Sequence, residues 1–294
     1  MQQYAPLRRR SRAAGLPPAA GNGNIGSDTT ARERDTMTRI AIVTGASSGL
    51  GREFVRRIDQ GEAGAVDEIW AIARRGERLE ALVRTCGTTV RAMPLDLTDE
   101  SSFEAVSVAL EQTPGAEVSL LVNNAGFGTF GDFARQPADD APRMVALLLR
   151  APVELTYRAL PYMTAGSRII NVASVAAFIP QPRLSVYSAA KRFVLDFSRS
   201  LDVELGEVGI HVTALCPKFM KTEFLDAPGD EGAAGKMTLI GFERADDVAR
   251  AALAAARAGR SLCIPSLDMK ALYAISRVAP YKLAVGIERA LGII

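Results

Sequence analysis

A chain of 294 residues, 48% apolar and 6% aromatic, has enough material for one large α/β core. Its 35 basic against 33 acidic residues create no long-range field of the kind that gathers nucleic acid. One histidine, His211, and three scattered cysteines, Cys86, Cys216 and Cys263, argue against His-based catalysis, a metal site or a disulfide framework; the thiols read as reduced, in a cytoplasmic compartment.

Residues 1–36 differ from everything after them. Arg8, Arg9, Arg10 and Arg12 are basic, Pro17, Pro18 and Gly21-Asn22-Gly23-Asn24 are loop formers, and few large apolar groups offset the entropy of ordering. The segment reads as a disordered, dispensable extension ahead of a natural start at Met37, without the apolar h-region of a secretory peptide. Beyond it the pattern becomes regular. Ile40, Ala41, Ile42 and Val43 suit a strand buried on both faces, and Gly45, Gly49 and Gly51 follow at once. Their spacing is Gly-x-x-x-Gly-x-Gly rather than Gly-x-Gly-x-x-Gly. It still gives a sharp turn and a backbone that approaches a pyrophosphate, while Ser47, Ser48 and Leu50 lead into a helix whose free N–H groups face the anion.

A helix carrying Phe54, Val55 and Ile58 leads to a second strand, Ile69–Ala73, which ends in Arg74 and Arg75. Leu79, Leu82 and Val83 mark the next helix, and Thr89–Met93 a third strand followed by Pro94-Leu95-Asp96-Leu97. A helix starts near Asp99, and the fourth strand, Val118–Val122, runs into Asn123-Asn124-Ala125-Gly126. One long helix over about Asp139–Met163 precedes a fifth strand, Ser167–Ala173. A helix over Ser185–Leu205, a sixth strand over Ile210–Leu215, a helix over Ala245–Ala258 and a short strand over Leu262–Pro265 complete a domain spanning 37–266. His211 reads as a structural residue at a strand start. The alternation predicts an α/β fold, a single doubly wound parallel sheet of Rossmann type with helices on both faces, whose ligands bind beyond the carboxyl ends of its strands.

Tyr187 and Lys191, at i and i+4, share one helix face, with Ser174 just past the fifth strand. At about 4 Å and an effective dielectric near 20, the ammonium would favour the phenolate by about 4 kcal/mol, an upper bound of roughly 3 pKa units. That predicts a tyrosine shifted toward neutrality and able to exchange a proton with a carbonyl oxygen, to which Ser174 also bonds.

Together these residues resemble the short-chain dehydrogenase/reductase family, in its classical branch, over about Arg39–Pro265. Thr44-Gly45-Ala46-Ser47-Ser48-Gly49-Leu50-Gly51 is similar to the family's phosphate-binding turn, Asn123-Asn124-Ala125-Gly126 to its fourth-strand motif, and Ser174, Tyr187 and Lys191 to its catalytic group. The resemblance implies a nicotinamide cofactor, Tyr187 as acid/base, Ser174 polarising the substrate oxygen, and Lys191 tuning Tyr187 and binding the nicotinamide ribose. It further implies that Asp96 and Leu97 contact adenine, that Asn123, Ala125 and Gly126 line the cofactor, that Pro217 lies in the loop beside the nicotinamide and that Thr222 holds the carboxamide. At the end of the second strand stands Ala73, not an acid, followed by Arg74 and Arg75, with Ser47 able to add a hydroxyl; this predicts NADP(H).

Two departures from the family pattern stand out. Leu148 falls where the family places a helix asparagine whose main-chain carbonyl holds a relay water; Pro152 has no N–H for that carbonyl, so a kink there would keep it free. Cys216-Pro217-Lys218 replaces the usual Pro-Gly, which leaves the local backbone path open.

Phe127, Phe130, Phe133, Phe178, Ile179, Phe219, Met220 and Phe224 either border one cleft or join the core. If they border it, they fit a small hydrophobic ketone or secondary alcohol, steroid- or lipid-like. Residues 223–240 read as a lid. The apolar tail, 267–294, has no run long enough to span a membrane and would pack on its own domain, a partner subunit or a membrane surface. The resemblance implies a homodimer or homotetramer built through the helix carrying Tyr187. Two rivals stay open: a 3-oxoacyl-carrier reductase, which needs a basic docking patch, and a catalytically silent NADP sensor, which Leu148 keeps in view.

Overall fold

In the computed structural model, residues 37–223, 241–278 and 280–290 are described. The N-terminal extension and the greater part of the expected lid, including Phe224, lie outside them. The chain divides into one unit over Met1–Met37 and another over Thr38–Ile294, and the architecture is that of the second.

Strand β1 (Thr38–Thr44) is central because its residues are apolar on both faces. It pairs in parallel with β2 (Glu68–Ala73) and β4 (Ala116–Asn123), so that Ile42 stands between Trp70 and Leu121. Adding β3 (Thr89–Pro94), β5 (Arg168–Val172), β6 (His211–Leu215) and β7 (Leu262–Cys263) gives a parallel sheet in the order β3-β2-β1-β4-β5-β6-β7 among the described residues. The order reverses direction at β1 and β4, which opens a crevice above their carboxyl ends.

Helices cover both faces, and the two-residue period of the strands assigns the layers. Ala41, Val43, Ile69 and Ala71 meet Phe54 and Ile58 of α1 (Gly49–Asp59), Leu79 of α2 (Gly76–Thr85) and later in the chain Val248 and Leu253. Ile40, Ile42, Trp70 and Ile72 meet Phe103 and Val106 of α3 (Glu100–Gln112) on the other side. Each fully buried Ile, Val, Leu or Phe among them contributes about 1.5–3 kcal/mol of transfer free energy.

The expected single helix over Asp139–Met163 is instead broken. Helix α4 (Asp140–Val145) passes into a π turn at Ala146–Arg150, then α5 (Ala151–Ala159) and a 3-10 turn at Leu160–Tyr162. Pro152 supplies the reason: without an N–H it cannot continue the four-residue ladder, and Ala151 N–H bonds Ala146 O five residues back. Helix α6 (Ser185–Gly206) carries Tyr187 and Lys191. Helix α7 (Ala245–Arg257) is tied to α1 by Arg57, whose Nε and Nη2 donate to Asp246 Oδ1 at 2.8 and 2.5 Å. In the tail, α8 (Leu267–Ser276) buries Met269 in a cluster with Phe178, Leu195 and Ile264, and α9 (Tyr281–Ala290) follows. No helix among the described residues is long and apolar enough to cross a membrane.

Candidate active site

The turn after β1 is built by what its residues lack. Gly45 has φ +66°, and a Cβ on Gly51 would stand 2.1 Å from Gly45 O and 2.7 Å from Asn124 Nδ2. Only glycine fits there. Thr44 locks this turn to the one after β4: its Oγ1 accepts the N–H groups of Asn124 and Ala125 at 2.8 and 2.9 Å, and its carbonyl accepts Asn124 Nδ2 at 2.8 Å. The cradle therefore leaves backbone at the N-terminus of α1 open to a pyrophosphate, the fit a dinucleotide requires.

At the end of β2, Arg75 Nη2 donates to Ser48 Oγ at 2.9 Å and to Ser47 Oγ at 3.2 Å. Arg75 Nη1 and Arg78 Nη1 both reach Glu223, at 2.7 Å to Oε2 and 2.5 Å to Oε1. Arg78 first and Arg75 second pull the Glu223 carboxyl down to about 2. Asp96 follows β3 and accepts both the N–H and the hydroxyl of Thr98. Burial pushes its carboxyl up, but Thr98, Arg74 and Arg143 outweigh that and hold it below the usual range.

Ser174 caps the short turn Val175–Ala177, accepting Ala176 N–H at 3.1 Å, and hydrogen-bonds Tyr187 from α6. Lys191, one turn further along α6, is buried and donates to Val172 O at 2.6 Å, its Nζ 5.6 Å from the centre of the Tyr187 ring. Here the expected electrostatics are corrected. Burial drives Tyr187 up to about 12, Ser174 opposing it, and burial drives Lys191 down to about 8, with Cys216 opposing it weakly. Burial disfavours both charged forms, and it shifts the phenol away from neutrality rather than toward it.

One cleft of about 800 Å³ collects these groups. Every site residue named from the sequence lines it except Gly51 and Asn123. Gly51 lies beneath the turn. Asn123 points into the core, donating to Asn171 Oδ1 at 2.8 Å and Thr156 Oγ1 at 3.2 Å, while Asn124 occupies the cleft wall. Thr222 packs on Gly49, within 3.1–3.2 Å of where a Cβ would be. Pro217 O accepts Val175 N–H at 3.1 Å, tying its loop to the Ser174 turn.

The departures find physical explanations. Lys218 turns away to Asp268, 2.9 Å distant, while its N–H bonds Glu243, so the loop keeps its place without glycine. Leu148 is buried with Met144 and Ala190, and its Cδ2 would stand 2.7 Å from a Cβ on Gly126. His211 opens β6 with Nδ1 3.6 Å from Asp202.

Phe127, Phe130, Ile179, Phe219 and Met220 line the cleft. Phe178 instead joins the core, its ring 4.9 Å from Tyr273, and Phe133 is exposed outside it. Sequence reasoning missed the tail's contribution: Met269, Leu272, Ile275 and Leu283 complete the apolar wall. It also missed Arg78 and Glu223. The tail's apolar spacing was the only available signal.

A glycine cradle at the switch point of a parallel sheet, facing a Ser–Tyr–Lys group, defines a nicotinamide-dependent oxidoreductase acting on alcohols and ketones. The chain belongs to the short chain dehydrogenase family, whose sequence model matches residues 39–231. It is 34% identical over 214 residues to sulfoacetaldehyde reductase 2 of Chromohalobacter salexigens, covering 67% of this chain and 79% of that one. It is 32% identical over 241 residues to serine 3-dehydrogenase of Agrobacterium fabrum, covering 79% and 94%. A short-chain dehydrogenase from Sphingobium yanoikuyae, solved in complex with NADPH, superposes with a TM-score of 0.67 at 29% identity, over 87% of this chain and 95% of that one.

Proposed function

We propose that the protein uses NADP(H) to interconvert a hydrophobic ketone and its secondary alcohol, with Tyr187 as the acid/base. The observation that carries this is the meeting of Ser174, Tyr187 and Lys191 in a cleft whose far wall is apolar. NADP(H), when bound, supplies or accepts the hydride.

Tyr187 gives its proton to the substrate oxygen in reduction and recovers it in oxidation. Burial raises its pKa to about 12, so the phenol carries its proton at neutral pH, as a donor to the substrate oxygen must. Ser174 bonds the same oxygen. Lys191, anchored on Val172 O, would hold the cofactor ribose and relay protons to Tyr187. A cavity of about 10 Å³ bordered by Asn123, Leu148, Pro152 and Lys191 supports a relay water on the Leu148 carbonyl. The buried Asn123 Oδ1, which has no protein partner, offers that water a second acceptor.

Preference for the phosphorylated cofactor is supported by Ala73 and by Arg75 with Ser47 and Ser48, where an acid would favour NAD. Asp96 and Leu97, which line the cleft with Arg75, would take the adenine, and Ala125 and Gly126 would border the rest of the cofactor. A homodimer or homotetramer through α6 is supported by the exposed Phe193, stacked on Phe197 with centres 5.8 Å apart, and by Val203. Reduced thiols fit a cytoplasmic setting.

The two curated relatives are named for small polar substrates, whereas Phe127, Phe130, Leu272 and Ile275 favour bulk. NADPH consumption measured against ketones of increasing size, beside sulfoacetaldehyde, tests the reading. The expected kcat/KM rises with apolar bulk; a peak at the small polar compounds would overturn the substrate assignment.

A further inference from the structure

The Glu223 carboxylate sits in an exposed ion-pair cluster whose donors are arranged as for a bound anion. Both its oxygens are held, one by Arg75 and one by Arg78. The same Arg75 guanidinium also reaches two hydroxyls, one of them on the buried Ser47. Donors therefore converge from the glycine turn, from the end of β2 and from the first turn of α2. That is the donor set a phosphate monoester takes. The cleft's adenosine end, bordered by Arg75 and Asp96, opens directly onto it.

We infer that Glu223 is an internal competitor for the 2′-phosphate of the cofactor, and that Ser47, Ser48, Arg75 and Arg78 form the phosphate site it covers. This deepens the NADP(H) reading and rests on it. A phosphate monoester brings up to two charges and three acceptor oxygens against the carboxylate's one charge and two oxygens, so it displaces Glu223 rather than joining it. The exchange is feasible because the side chains of Arg75, Arg78 and Glu223 are 45, 45 and 43% exposed, which keeps the ion pairs weak. A second carboxylate left beside the phosphate would repel it, so Glu223 must swing aside. Glu223 thus lowers NADPH affinity and, with it, the margin by which the protein discriminates NADPH from NADH.

Calorimetric titration with adenosine 2′,5′-bisphosphate and with 5′-AMP tests this on the full chain. Glu223→Gln is expected to tighten the bisphosphate by about three- to tenfold, with a smaller change for 5′-AMP. Arg78→Met is expected to weaken the bisphosphate selectively, and Glu223→Asp, which keeps the charge, to restore wild-type discrimination in part. Bisphosphate binding that is unchanged or weaker in Glu223→Gln would overturn the inference, because Glu223 would then be organising the arginines rather than competing for them. If wild type discriminates and Glu223→Gln matches it, the inference alone fails. If neither wild type nor Glu223→Gln prefers the bisphosphate to 5′-AMP, the NADP(H) reading fails with it.

Discussion

The glycine turn after β1 and the Ser174–Tyr187–Lys191 group face one cleft yet depend on opposite kinds of chemistry. The turn works through missing atoms: Gly51 has room for no Cβ, and Thr44 and Asn124 lock backbone to backbone. The catalytic face works through side chains set in the cleft wall, Lys191 buried and Tyr187 half-buried, where burial moves Tyr187 up and Lys191 down. Sterics fix the first, so it tolerates little change in volume. Solvation fixes the second, so it responds to charge and pH.

The largest expected effect is on the catalytic face. Tyr187→Phe removes the proton donor and should lower turnover by about 10²–10⁴-fold while NADPH still binds, as intrinsic quenching or calorimetry would show. Retained turnover would shift the acid/base role to another group. On the turn, Gly51→Ala is expected to abolish measurable cofactor binding or cost about 1–3 kcal/mol of stability or more, because the new methyl meets backbone. Gly61→Ala is the control: φ is +82° but nothing lies within 4 Å, so its cost is only the backbone strain of about 1 kcal/mol. Equal thermal shifts in the two variants would remove the steric half of the comparison.

Lys191→Met probes solvation. Because the folded pKa is about 8 and the unfolded value 10.5, the unfolded state holds more protons between those pH values, and wild-type stability rises with pH across that window. Relative to Lys191→Met, wild type should gain about 3 kcal/mol from pH 8 to 10.5 in denaturant titrations. A flat difference would mean that the ammonium is well solvated. The smallest effect is expected for Pro152→Ala, which restores an N–H able to take the Leu148 carbonyl. Turnover should fall by less than about tenfold, with NADPH affinity unchanged. An unaltered rate would remove the relay.

The sheet and the glycine turn were legible because an apolar run followed by Gly45, Gly49 and Gly51 leaves the backbone few options. The break at Ala146–Arg150 was half legible: Pro152 announced a kink, but the π register depends on how the helix closes around it. Asn123 could not be separated from Asn124 without knowing which way β4 faces. Glu223 meets Arg75 across 148 residues, and no local pattern encodes that contact. The Tyr187 shift was misjudged because a pairwise Coulomb sum at one dielectric omits the desolvation that everything packed around α6 imposes.

The central claim, that burial rather than the neighbouring ammonium governs the catalytic phenol, is open to one direct measurement. Tyrosinate absorbance is followed with rising pH in the wild type and in Tyr187→Phe, and the difference isolates Tyr187. The account predicts no difference signal below pH 10, with ionisation near 12. A component titrating between pH 7 and 9 that disappears in Tyr187→Phe would contradict it and return control of the site to Lys191.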